Sequence, residues 1–309
     1  MHVTFIHGIG NKKQVEPLLA EWEFALRDGG LDLATEGVTS SMVYWADVLY
    51  PEPVGADIPE SAYEALTEVT DDEILWTDDL PEEERVFVEA LAAQFNYDAE
   101  PPTGADDYEA ALEDQDGSFE RIPLPWFIKR RLMKVLLRDV HHYLFNAVSR
   151  PRPGTEYRVR DEIRRRFTAQ LRQDQDALVG GPHVVVSHSM GTVIAYDCLK
   201  RVGECPGVDA LVTIGSPLGL DEIQDMMQPE WTRVDGYPTA KVGAGWSNVY
   251  DRFDVVSAAD PAIANDYMQD GVELVADRRV DNDGAWKHDI SKYLRQPVVV
   301  GDLRSKLGL

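Results

Sequence analysis

Cysteine is nearly absent: Cys198 and Cys205 are the only two among 309 residues, and they stand at what reads as the end of a helix. Their spacing fits neither a disulfide framework nor a metal-ligand pair, so a reducing, cytoplasmic setting is expected. Long apolar runs are missing too. None approaches the roughly 20 residues that span a bilayer, so no membrane span is expected. The opening Met1-His2-Val3-Thr4-Phe5-Ile6 reads as a buried strand, without the basic region and cleavable apolar stretch of a secretory signal. Positive charge is scarce, with 30 Lys and Arg against 55 Asp and Glu, for a net charge of −25. Such a chain repels phosphate backbones, which makes nucleic acid a poor partner.

The charge is unevenly placed. Residues 51–120 hold 23 Asp or Glu and one basic residue, Arg85, whereas residues 121–172 hold 14 Lys or Arg and four acids. Elsewhere, short apolar runs alternate with helical patterns, the rhythm of a mostly parallel sheet flanked by helices. The expected strands are Val3–Ile6, Ser41–Trp45, His183–Ser187, Ala210–Ile214, Ser247–Tyr250 and Val272–Val275. Val15, Leu18, Leu19, Trp22 and Leu26 predict a helix between the first two, stopping at Gly29-Gly30. Residues 51–153 break the rhythm and read as a helical insertion, or lid, within a single domain of residues 1–309. Its helices are expected over Val86–Phe95, after acids at Glu82–Glu84, over Leu124–Val148, and more weakly over Thr103–Asp116. The Leu124–Val148 pattern is amphipathic, which suits packing on a core or, alternatively, peripheral contact with a membrane. Tyr157–Leu171 reads as an Arg-rich helix. Trp45, Trp76 and Trp126 could line a pocket or serve packing.

The segment that carries chemistry is His183-Val184-Val185-Val186-Ser187-His188-Ser189-Met190-Gly191-Thr192-Val193-Ile194. A β-branched strand runs into a tight turn at Ser189 and then into an apolar helix, the context of a nucleophile elbow. Ser187 and Gly191 are small where strand and helix must approach closely. This segment resembles the α/β-hydrolase superfamily, especially its lipase-like and esterase-like members, with Ser187 in place of the usual first glycine of Gly-x-Ser-x-Gly. The resemblance covers Met1 to about Tyr50 and Gly154 to the C-terminus. It implies that Ser189 is a nucleophile and His188 a neighbour that shapes the site. It also implies that His7-Gly8-Ile9-Gly10, after the first strand, helps form an oxyanion hole, with the amides of Ile9 and Met190 as donors and Gly8 and Gly10 allowing close approach. His7 itself is expected to be structural.

A serine hydroxyl needs a base, and the base needs an acid that fixes its tautomer. Seven histidines occur, and only His288 follows the elbow at a useful distance, in the polar loop Asp283-Gly284-Ala285-Trp286-Lys287-His288-Asp289-Ile290. The acid is expected after the strand at Ser247–Tyr250. Asp254 is preferred because its Asp-x-Val setting resembles the acid turn of lipase-like members; Asp251 and, more distantly, Asp260 are the alternatives. Ile214-Gly215-Ser216-Pro217-Leu218 is expected to line the site wall, with Ser216 shaping it. The function implied is hydrolysis of small or lipid-like carboxylic esters through an acyl-enzyme, with no cofactor or metal required. The alternatives are a thioesterase or acyltransferase with the same triad, or a noncatalytic binding protein on the same scaffold.

Overall fold

The computed structural model describes residues 1–56, 58, 77, 80–95 and 126–309, apart from 244, 258 and 285. The expected segment Thr103–Asp116 and Trp76 lie outside the described residues. Six strands form one parallel sheet: β1 (His2–Ile6), β2 (Thr39–Val43), β5 (His183–His188), β6 (Ala210–Ile214), β7 (Trp246–Asp251) and β8 (Val275–Val280). Their order across the sheet is β2-β1-β5-β6-β7-β8. Helices cover both faces, which is why the central strands read as nearly continuous apolar runs instead of alternating ones.

In β5, Val184 and Val186 join one core, with Leu18, Trp22 and Leu26 of α1 (Val15–Asp28) and with the C-terminal helices α7 (Ile290–Leu294) and α8 (Pro297–Leu307). Val185 faces the other core, built with α4 (Val159–Ala177) and α5 (Met190–Arg201). That second core also takes in α2 (Glu82–Gln94), α3 (Trp126–Leu144) and, through Ile223, the short helix α6 (Asp221–Asp225). Met133, Leu136, Leu137, Val140 and Leu144 of α3 are all buried in it, each contributing about 1.5–3 kcal/mol by leaving water. This apolar face packs on the core and is not presented to a membrane. No helix among the described residues is long and apolar enough to cross one.

The structure corrects several expected boundaries. The last strand is Val275–Val280, not Val272–Val275: Asp270 and Gly271 turn the chain with positive φ, and Val272 and Leu274 are exposed. Pairing with β7 decides this register, and it places the polar Asp277-Arg278-Arg279 in an edge strand where apolar content is no guide. The second strand starts and ends two residues earlier than expected. Tyr157–Arg158 is not the start of a helix but strand β4, which pairs antiparallel with β3 (Val148–Ser149); α4 begins at Val159. Two-residue strands are too short to leave a periodic signature.

The chain leaves β1 toward β2 on one side and leaves β5 toward β6 on the other. The connections after β1 and β5 therefore diverge at the carboxyl edge of the sheet, and the crevice between them is where open α/β sheets hold ligands.

Candidate active site

Ser189 sits between β5 and α5 with φ 54 and ψ −131, a conformation that side chains rarely adopt. Such strain costs about 1–3 kcal/mol and persists only where the surroundings enforce it. Here its amide donates to Ile214 O (2.9 Å) at the end of β6, and its carbonyl accepts from the Thr192 amide (2.9 Å) and hydroxyl (2.7 Å). Close packing completes the clamp. A Cβ on Gly191 would lie 2.6 Å from His7 O, and one on Gly8 would lie 2.6 Å from Ser189 Cβ. Ser189 is fully buried, and its Oγ has no hydrogen-bond partner among the described residues. Met190 opens α5, so its amide belongs to the first turn that a helix leaves without internal acceptors.

His288 lies in the loop before α7. Its Nδ1 is 2.8 Å from both carboxylate oxygens of Asp254, and both side chains are shielded from water. Proton exchange at this ring therefore falls to Nε2. Tyr293, from α7, donates its hydroxyl to Asp254 Oδ2 (2.7 Å), and the Val256 amide donates to Oδ1 (2.9 Å). Burial opposes the charge on Asp254, but His288, Tyr293 and Val256 outweigh it and hold the carboxyl below its ordinary range. The same burial and the same carboxylate push the Tyr293 hydroxyl well above its ordinary range, so it remains a donor. Gly215, at φ 55, passes beneath this pair: a Cβ there would stand 2.8 Å from Asp254 Oδ2 and 3.1 Å from His288 Nδ1.

Asp251 does not meet His288. Its carboxylate accepts from the amides of Phe253 (2.8 Å) and Asn282 (2.6 Å), which braces the turn that delivers Asp254. Asp260 is not among the partners of His288 that the geometry defines.

No family model and no curated protein matches this chain. The geometry of the site therefore carries the functional argument by itself.

The remaining expected site residues fall around Ser189. His188 donates Nε2–H to His288 O (2.9 Å), and the two rings lie 4.5 Å apart. Burial, followed by the charges of His288 and Lys12, pushes His188 well below the ordinary histidine range, which keeps it neutral. Both ring nitrogens of His7 are engaged by the framework. The ring donates from Nδ1 to Gly8 O (2.9 Å), accepts at Nε2 from the Trp45 amide (3.0 Å), and stacks on the Trp45 ring. Burial and Lys12 depress its pKa to about 3. Trp45 is thus fully buried packing for this loop. Ser187 donates to Val212 O (3.1 Å), and Ser216 bridges the Thr192 hydroxyl (2.7 Å) and the Leu218 amide (3.1 Å), so both are committed to the framework. Ile9 is buried in the loop after β1, and the Gly10 amide donates to Asp139 Oδ2 (2.8 Å).

Three contributors escaped the sequence reading. Asp139 of α3 anchors the His7–Gly10 loop and also accepts from Tyr50 OH (2.9 Å). Its only signal was an acid on the buried side of an otherwise basic helix. In the sequence Tyr293 is one aromatic among many, five residues after His288. Lys12 is fully buried and its charge acts on both His7 and His188, yet the sequence shows only a lysine in a loop.

Proposed function

We propose that this protein is a serine hydrolase of α/β-hydrolase type that cleaves carboxylic esters. The observation that carries the reading is the Asp254–His288 pair, symmetric at 2.8 Å, at the same carboxyl edge as a serine held in a strained strand-to-helix turn. A buried carboxylate on Nδ1 fixes the tautomer that leaves Nε2 basic, which is what a serine nucleophile requires.

In this reading Ser189 Oγ attacks the ester carbonyl while His288 Nε2 takes the hydroxyl proton. The negative oxygen that develops is received by the amides of Ile9 and Met190, each worth about a hundredfold or more in rate. His288 then protonates the leaving alcohol, and water, activated by the same base, releases the acid from Ser189. Asp254 remains ionised throughout and stabilises the imidazolium, and Tyr293 keeps its carboxylate in place. In this reading α2 and α3, the described helices of the expected insertion, set the acyl-chain preference. Because Ser189 and His288 are both buried, turnover requires a path for substrate to open.

The test is hydrolysis of p-nitrophenyl esters from acetyl to palmitoyl, together with labelling by a fluorophosphonate. The expected result is a chain-length optimum and one label per chain, on Ser189. Absence of both labelling and hydrolysis across the series, in folded protein, would overturn the reading.

A further inference from the structure

At the opposite edge of the sheet, the first residues of β1, β2 and β5 bring a second polar cluster together. The strand register pairs His2 with His183 across β1 and β5, and His2 with Thr39 and Thr4 with Ser41 across β1 and β2. Asp174, from the last turns of α4, reaches onto this face and accepts from Thr4 (2.6 Å) and Ser41 (2.7 Å) through Oδ2 and from Gln170 (2.9 Å) through Oδ1. His2, Asp174 and His183 are all buried. Strands covered on both faces are ordinarily apolar, and burying this many polar groups is costly unless their electron pairs are used.

The rings are turned inward. His2 turns Nε2 toward Asp174 Oδ2 (3.3 Å) and Ser41 Oγ (3.1 Å), and on the other side of the ring its Nδ1 makes a hydrogen bond with Thr39 Oγ1 (2.7 Å). This is the outer hydrogen bond that orients a metal-binding histidine. His183 also presents Nε2, with the Thr4 hydroxyl 2.7 Å away, between it and the carboxylate. The Thr4 hydroxyl donates to the carboxylate and has electron pairs left for His183 Nε2–H, while His183 Nδ1 is buried without a hydrogen-bond partner among the described residues. One ligand atom from each of His2, Asp174 and His183 lies within 4.8 Å of the other two. Ligand atoms of two imidazoles and a carboxylate therefore converge on one buried point.

We propose that His2, Asp174 and His183 bind one divalent transition-metal ion, with zinc the best match to two nitrogens and one carboxylate oxygen. Bonds of about 2.0–2.2 Å draw the three side chains inward, and the Thr4 hydroxyl or a water completes the tetrahedron. The ion ties α4 to β1 and β5. It lies at the far edge of the sheet from Ser189, and the proposal rests on no assumption about the reaction.

The experiment uses the full, untagged chain, stripped with chelator and titrated with Co²⁺ by visible absorption and with Zn²⁺ by competition against a chromophoric chelator. One equivalent per chain is expected, with the intense bands of a tetrahedral nitrogen-containing site and a Zn²⁺-dependent rise in Tm. His183→Gln and Asp174→Asn, shown to be folded by circular dichroism, should weaken binding by at least about a hundredfold. Ser189→Ala should bind as the wild type does. A wild-type chain that shows only the faint octahedral spectrum of surface carboxylates overturns the proposal, as do folded variants that keep the wild-type spectrum. Should the variants not fold, X-ray absorption at the zinc edge of the wild type decides, with two imidazole nitrogens expected and an all-oxygen shell fatal to the idea.

Discussion

Strands β1 and β5 lie side by side along their length, and their two ends are built in opposite ways. At the carboxyl end the backbone is strained at Ser189, two glycines are pressed against neighbours, and the Ser189 hydroxyl is left without a partner. At the amino end the backbone is regular strand, and the Asp174 carboxylate accepts from hydroxyl and amide donors on three elements. The first arrangement stores strain and reactive groups; the second joins a helix to the sheet. Substitutions should accordingly separate into those that remove activity and leave stability, and those that do the reverse.

The largest effect expected is from Ser189→Ala, which should lower kcat by about a hundred-thousandfold or more while Tm stays near wild type. A residual rate within tenfold would break the assignment of this end as catalytic. Next comes Asp254→Asn, with an expected loss of about ten-thousandfold in kcat because the wrong imidazole tautomer is favoured. Asp251→Asn sharpens this contrast: it leaves the acid–base pair intact, so steady-state kinetics should stay within tenfold, while denaturant unfolding registers a loss of about 1–3 kcal/mol from its two amide bonds.

Gly215→Ala should cost about a hundredfold in kcat, since the added methyl displaces the Asp254–His288 pair. Asp174→Ala, at the other end, should lower stability by about 2–3 kcal/mol in urea titrations run with chelator, by stripping Thr4 and Ser41 of their acceptor. Its kcat/KM at 25 °C should be unchanged within about threefold. A large activity loss there would show that the two ends are coupled.

The most gradual effect is on acid stability. His7, faced by Lys12 and Arg166, titrates at about 3 in the folded chain and near 6.5 when unfolded. The unfolded state therefore binds its proton first, and stability falls as pH drops below about 6.5, at a slope of up to about 1.4 kcal/mol per pH unit, until about pH 3. His188 acts in the same direction. Asp254, whose carboxyl is depressed, adds its loss only below the ordinary carboxylate range. Urea midpoints measured from pH 8 to pH 4 should decline across this window, and a flat profile would contradict the burial of both histidines as neutral rings.

Much of the framework was legible because the signals were local. The Val184–Val186 run, the small residues around Ser189 and the helical spacing of α1 each follow from backbone geometry within a dozen residues. Of Asp254 and Asp251, only the former contacts His288. The last strand was misplaced because Val272 and Leu274 are apolar but exposed, whereas strand pairing with β7 selects Val275–Val280. Asp139 and Tyr293 were invisible because each acts across the fold, on a loop or carboxylate contributed by another segment.

By itself, then, the sequence determined an alternating α/β chain, the sharp turn at Ser189 and the one histidine placed to follow it, since these depend on short-range pattern and on chain order. Tertiary structure alone decided which aspartate meets that histidine, which helix anchors the loop after β1, and that His2 and His183, 181 positions apart, share a point beneath Asp174. Side-chain convergence of this kind depends on strand register and helix placement, which long-range packing sets and no local pattern encodes.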